Sequence, residues 1–140
     1  MSPLVVDASV AFKWLIPGSS ESDTPAAKRL LVEHYEGRHL LTIPTLLFYE
    51  VGNILACGRA RLSERETEQA LNDLLRVSLR TVAPDSQSME TTARLARRFG
   101  ITFYDATYLA LAEFLDCELV TADARLAGKA RPGGRVRLLG

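Results

Sequence analysis

Four acidic residues, Asp7, Glu50, Asp105 and Asp123, stand where apolar segments meet helical ones. Asp7 ends the apolar run Leu4-Val5-Val6. Glu50 lies in the stretch from Pro44 to Asn53. Asp105 opens Tyr104-Asp105-Ala106-Thr107-Tyr108, and Asp123 follows Leu119-Val120-Thr121-Ala122. A carboxylate at the end of a buried strand is costly to desolvate unless something positive joins it. If the four converge, the natural partner is a hard divalent cation with oxygen ligands, Mg²⁺ or Mn²⁺. Such an ion activates water for phosphodiester hydrolysis.

Each acid also has a plainer role open to it. Asp7 and Asp123 are placed to cap helices, where a negative charge meets the positive end of the helix dipole. Ser9 shares that option. Asp105 pairs with Thr102 as Thr-x-x-Asp, a capping pattern. Glu50 has no basic residue three or four positions away to pair with. Asn53, one turn on, shares its face and makes a plausible ligand or supporting group. As a set, one acid follows the first strand, one lies inside the helix after the second, one opens the helix before the fourth strand and one follows that strand, a recurrence that independent caps would not require.

The elements that must position them alternate. Leu4 to Val6 reads as a strand buried on both faces, followed by a helix from about Ala8. Residues 17–23 read as a loop, and Thr24-Pro25 opens a helix to about Tyr35 with Thr24 as cap. Leu40 to Ile43 predicts a second strand. Thr45 is expected to cap a helix to about Arg59, and Ser63-x-x-Glu66 is a capping box opening another. Leu79 to Val82 predicts a third strand, and a helix after Pro84-Asp85 ends at Phe99, with Gly100 as the stop. A helix over 104–114, a strand over 118–121, a short helix over 123–129 and a last strand over 135–139 complete the pattern. Strands separated by helices predict an α/β fold: a three-layer α/β/α sandwich around a mainly parallel sheet of four to five strands. Sites in such sheets form beyond the carboxyl ends of the strands, where Asp7 and Asp123 fall.

Length and composition bound the rest. The 140 residues predict one domain, residues 1–140, large enough for a real core. Lys plus Arg equals Asp plus Glu at 17 each, so net charge gives no argument for a nucleic-acid partner. From Arg125 onward, however, there are five basic residues and no acid. Cys57 and Cys117 lack metal-ligand spacing and are expected to be small buried thiols of a reduced, cytoplasmic chain. No apolar run reaches the length of a membrane span, and no signal peptide is expected.

The stretch Val5-Val6-Asp7-Ala8-Ser9-Val10-Ala11-Phe12-Lys13-Trp14-Leu15 resembles the opening of PIN-domain proteins, particularly VapC-type toxin ribonucleases. Pro44, Tyr49-Glu50-Val51 and Asn53 resemble that family's second acidic segment. Asp105-Ala106, Tyr108-Leu-Ala-Leu-Ala and Leu119 to Asp123 with Leu126 resemble its third and fourth, in the family's order. The resemblance implies a compact sandwich, an acidic pocket binding Mg²⁺ or Mn²⁺, RNA cleavage, homodimers and inhibition by a small cognate antitoxin. It carries over Asp7, Glu50, Asp105 and Asp123 as the acidic site, with Asp7 and Asp105 expected as direct metal ligands. Ser9, Asn53 and Thr121 carry over as supporting polar groups. There is one departure: where some members place a further acid, this chain has Arg125, two residues after Asp123.

RNA contacts are expected from among Lys13, Arg59, Arg61, Arg94, Arg97, Arg98 and the basic C-terminal stretch. Dimer or antitoxin contacts are expected on the helix opening at Thr24 or the helices over 45–75. Other α/β readings fit less well. A receiver-type signalling domain would want an acid pair after the first strand and a lysine late in the chain. A haloacid-dehalogenase-like phosphatase would want an aspartate where Ser9 stands. A catalytically silent PIN-like module that binds RNA or protein is the serious alternative.

Overall fold

The computed structural model describes residues 1–16, 21–58 and 61–140. Part of the loop expected over 17–23 lies outside them, as does Arg59. The chain alternates as expected: β1 (Ser2–Val6), α1 (Ala8–Ala11) with a 3₁₀ turn Phe12–Trp14, α2 (Thr24–Tyr35), β2 (His39–Pro44), α3 (Leu46–Cys57), α4 (Glu64–Arg76), β3 (Arg80–Val82), α5 (Ser86–Phe99), α6 (Phe103–Phe114), β4 (Leu119–Thr121), α7 (Ala124–Lys129) and β5 (Val136–Leu138).

The five strands form one sheet in the order β3-β2-β1-β4-β5, and every pairing is parallel. The architecture is the three-layer α/β/α sandwich predicted. Val5, Val6, Leu41, Ile43, Leu119 and Val120 are fully buried, as the unbroken apolar runs require of strands covered on both faces. Each such side chain removed from water contributes about 2 kcal/mol, an upper estimate against an extended chain.

The order has one consequence for function. From β1 the chain moves outward on one side of the sheet, to β2 and then β3. From β4 it moves to the opposite edge, to β5. The connections leaving β1 and β4 therefore part company, and a crevice opens beyond their carboxyl ends. Asp7 directly follows β1, and Thr121 ends β4.

Local signals held in most places. Ser63 and Glu66 form a reciprocal capping box, and Asp85 with Ser88 forms a second. Gly100 ends α5 in the left-handed region at φ 64°, which glycine adopts without strain. Two caps differ from expectation. Thr45 makes no side-chain cap bond to α3. Thr24 lies inside α2, and the residue before it, Asp23, does not cap because its carboxylate holds Lys13. The cysteines also differ: Cys57 is exposed near the end of α3, and Cys117 is only half-buried. Among the described residues no helix is long and apolar enough to cross a membrane.

Candidate active site

At the end of β1 the backbone turns into α1, and Asp7 caps that helix. Its side chain is 5% exposed, so every lone pair needs a partner or a cation. Oδ1 accepts from the Ser9 backbone N–H at 3.0 Å and from the Ser9 hydroxyl at 2.5 Å. Oδ2 accepts from the Thr121 hydroxyl at 2.5 Å. Three donors on a carboxylate with about four acceptor positions leave one open, on Oδ2. Burial raises the Asp7 pKa to about 6 from 3.8, against the lowering effect of the Ser9, Thr121 and Val10 donors; the Asp105 charge adds to the rise.

Ser9 and Thr121 do more than support Asp7. The Ser9 oxygen accepts from the Ala122 backbone N–H at 2.9 Å, and the Thr121 oxygen accepts from that of Asp123 at 3.0 Å. With Asp7 ionised, each hydroxyl has given its one proton to Asp7, so their mutual 3.3 Å approach is a contact without a hydrogen of its own. The two hydroxyls thus lock the turn after β4 onto the turn after β1.

Asp105 lies in the first turn of α6, where Thr102 caps the helix by accepting the Asp105 N–H at 3.0 Å. Its carboxylate is the electrostatic hub. Its charge raises the pKa of Asp7 and of Glu50, and the charge of Asp123 raises its own. Burial is the larger cause at all three shifted acids. Arg125 opposes the rise at Asp105. Glu50, half-buried on α3, accepts a very short hydrogen bond at Oε1 from the Tyr108 hydroxyl. Asp123 is exposed and caps α7, accepting from the backbone N–H groups of Arg125 at 2.9 Å and Leu126 at 3.2 Å.

The structure therefore brings Asp7, Glu50, Asp105 and Asp123 to one end of the sheet, with Ser9 and Thr121 beneath them. Capping does not remove Asp7 and Asp123 from the group: both cap helices that start at the carboxyl ends of β1 and β4. Asn53 is exposed and makes no hydrogen bond to Glu50. Lys13, expected among the RNA contacts, is 3% exposed, and its ammonium lies 3.0 Å from both Glu21 and Asp23. Burial works against that charge, but the two acids outweigh it and hold the lysine above its ordinary pKa. It ties α1 to α2 and presents no free cation to phosphate. Arg97 and Arg98 are exposed in the last turn of α5, with Arg98 over the Phe99 ring at 4.7 Å.

Sequence reasoning left Tyr108 without a role. It is 1% exposed, and its pKa is raised by burial, by the bond to Glu50 and by the surrounding acids. Two signals were available. A buried tyrosine seeks a hydroxyl partner, and Glu50 lacked one on its own helix.

The donor set, all carboxylate and hydroxyl oxygen, fits a hard divalent cation. The acids do not form a closed cage: among the described residues no three His, Cys, Asp or Glu groups are gathered to hold an ion by themselves. That suits Mg²⁺, which keeps several waters and takes one or two carboxylates. The open position on Asp7 and the half-buried Asp105 are the ligands such an ion would meet.

Residues 4–132 match the PIN domain. VapC ribonuclease Mb0985 of Mycobacterium bovis is 33% identical over 130 residues, 89% of this chain and 88% of that protein. Ribonuclease VapC3 of Pyrobaculum aerophilum is 33% identical over 129 residues, 90% of this chain and 93% of that one. The crystal structure of PAE2754 from Pyrobaculum aerophilum has a TM-score of 0.68 at 26% identity, covering 96% of this chain and 83% of that chain. The chain belongs to the PIN-domain family, alongside the VapC ribonucleases.

Proposed function

We propose that this protein is a metal-dependent endoribonuclease, the toxin of a toxin–antitoxin pair, acting at the acid group beyond the carboxyl ends of β1 and β4. One observation carries the reading. Four acids from four separate segments share the field of Asp105 at the switch point of a parallel sheet. Like charges in a buried crevice raise one another's pKa and invite a cation. The VapC ribonuclease relatives support the same reaction.

A divalent cation bound here supplies a water acidified toward neutral pH and offsets charge developing on the scissile phosphate. Asp7, held rigid by Ser9 and Thr121, and Asp105, on the first turn of α6, are the residues that would hold it. Glu50, fixed at Oε1 by Tyr108, has no partner at Oε2 among the described residues, and that oxygen would accept a proton from the attacking water. Asp123 is placed to orient further waters. In-line attack leaves 5′-phosphate and 3′-hydroxyl ends. Neither histidine belongs to the site: His39 begins β2, at the opposite end of the sheet, and His34 Nδ1 accepts the Leu41 N–H. A histidine-based, metal-free mechanism therefore has no residues here.

Among the partners in this reading, RNA meets the exposed Arg97 and Arg98 and the basic C-terminal stretch. Part of that stretch is already paired, Arg135 with Asp116 and Arg137 with Glu118. A second copy of the chain and a small antitoxin would cover exposed apolar side chains, which include Val32 and Tyr35 on α2, Tyr49 on α3, Leu75 on α4, Met89 on α5, and Phe103, Tyr104 and Phe114 on α6.

The test is 5′-phosphate end mapping of total cellular RNA after incubation with the purified protein. Three conditions are compared: Mg²⁺, chelator, and Asp105→Asn with Mg²⁺. New ends are expected with Mg²⁺ and the unaltered chain alone. Identical end profiles in all three, with the protein folded and inhibitor-free, would favour the silent binding module instead.

A further inference from the structure

We infer that Arg125 is the substrate-phosphate clamp of this site, a fixed cation that works beside the acids; the assignment rests on the nuclease reading above. The backbone places it. Arg125 is the second residue of α7, and its N–H donates to Asp123 Oδ1 at 2.9 Å, so its Cα is tied to the rim of the crevice beyond β4. Its side chain is exposed, yet its charge acts on the Asp105 carboxylate, at the centre of the acid group. Among the described residues it is the one cation named as acting on the shifted acids Asp7, Glu50 and Asp105.

The guanidinium is also uncommitted. Among the described residues it takes part in no ion pair and no side-chain hydrogen bond. Other cations of the chain differ. Lys13 is buried between Glu21 and Asp23, Lys129 donates to the Gly100 carbonyl at 3.0 Å, and Arg135 holds Asp116. An arginine anchored through its backbone, whose guanidinium has no partner among the described residues, keeps its donors available at the edge of the acid group. Its planar fork matches two oxygens of a phosphodiester. Anionic RNA must approach a pocket lined with four carboxylates, so a cation on the rim is needed to make the encounter favourable. Being fixed to the protein, that charge also meets the phosphate as negative charge builds on its oxygens.

Arg125 has an opposite effect on the metal. A permanent positive charge beside Asp105 disfavours a divalent cation there. Removing it should weaken cleavage while strengthening metal binding, a combination that neither general destabilisation nor loss of a metal ligand produces.

The experiment compares wild type, Arg125→Ala and Arg125→Lys by RNA cleavage at saturating Mg²⁺, by calorimetric titration with Mn²⁺ alone, and by thermal melting. The expected result is an Arg125→Ala protein with an unchanged melt, cleavage slower by about 100-fold, and Mn²⁺ bound several-fold more tightly. Arg125→Lys keeps the charge but not the fork, and should recover part of the rate with wild-type Mn²⁺ affinity. If wild type cleaves and Arg125→Ala cleaves equally well, or if Arg125→Ala binds Mn²⁺ no more tightly, the assignment of Arg125 is overturned alone. If wild type cleaves no RNA, the nuclease reading fails and the clamp role fails with it.

Discussion

Thr121 donates its hydroxyl proton to Asp7 Oδ2 at 2.5 Å, joining the ends of β4 and β1 across 114 positions of sequence. Thr121 is fully buried, and its oxygen also accepts the Asp123 N–H. One side chain therefore holds one acid of the pocket and the backbone of another. Thr121→Val keeps the shape and removes both bonds. It should cost about 1–3 kcal/mol of stability, measured by urea unfolding, because a buried carboxylate and an N–H lose partners together. Thr121→Ser should recover most of that. The valine variant should also bind Mn²⁺ more weakly, since Asp7 without this donor holds its proton more tightly.

Asp7 itself sets a pH signature. Its carboxyl titrates at about 6 in the folded protein against 3.8 ordinarily. Between these values the folded form holds a proton that the unfolded chain has released. The group's contribution to stability is therefore complete below pH 4 and is lost as pH rises through 6. About 2 pH units correspond to about 3 kcal/mol. The raised values of Glu50 and Asp105 act in the same direction. Asp7→Asn cannot ionise, so in chelator at pH 7.5 it should be more stable than wild type by up to about 3 kcal/mol and should not cleave RNA. A less stable Asp7→Asn protein at that pH would contradict the burial cost assigned to this carboxylate.

The pairing of Tyr108 with Glu50 predicts a milder phenotype than loss of either acid. Tyr108→Phe leaves the ring in place and frees Glu50 Oε1. Glu50 is only half-buried, so water can replace the hydroxyl, and the stability loss should stay near 1 kcal/mol. Cleavage should fall about 10-fold, because a carboxylate free to rotate is aligned less of the time. Glu50→Gln, which removes the proton acceptor, should fall further, by about 100-fold or more. Single-turnover rates on one defined RNA would rank the two.

How much of this was legible in the sequence depends on whether a contact is local. Ser63 with Glu66 and Asp85 with Ser88 satisfy each other within one helical turn, so residue types at fixed spacing reveal them. The buried strands announce themselves by unbroken apolar runs. The four acids were visible for the same reason: Asp7 and Asp123 follow apolar strand runs, Glu50 lacks a partner on its own helix, and Asp105 opens a helix at a capping pattern. Partners across elements were not visible. Tyr108 and Glu50 are 58 positions apart, and nothing in either helix names the other. Lys13 reads as a cation near an acidic site, whereas its ammonium turns away to Glu21 and Asp23. The chain pattern shows where a side chain starts, while folding decides which way a long one points.

That correction has its own test. Lys13→Met keeps the apolar stem and removes the charge that Asp23 and Glu21 hold. Both acids reach water, at 27% and 54% side-chain exposure, so they can resolvate in part. The stability loss should be about 1–2 kcal/mol, below the 3–5 kcal/mol of a fully buried pair broken on one side. The Michaelis constant for RNA should not change. A raised constant with unchanged stability would return Lys13 to the RNA-binding surface.

Metal addition should stabilise the fold through the same carboxylates whose repulsion destabilises it. An ion at 100 times its dissociation constant adds about 2.7 kcal/mol if it binds the folded chain alone. For a chain of this size that raises the melting temperature by roughly 5–10 °C. The expected result is such a rise for wild type when Mn²⁺ replaces chelator at pH 7.5, and little for Asp105→Asn or Asp7→Asn. Asp123→Asn should keep most of the shift, because Asp123 is exposed and already caps α7 through its Oδ1. An equal shift in all four proteins would mean that the ion binds elsewhere, and would remove Asp7 and Asp105 from the ligand set.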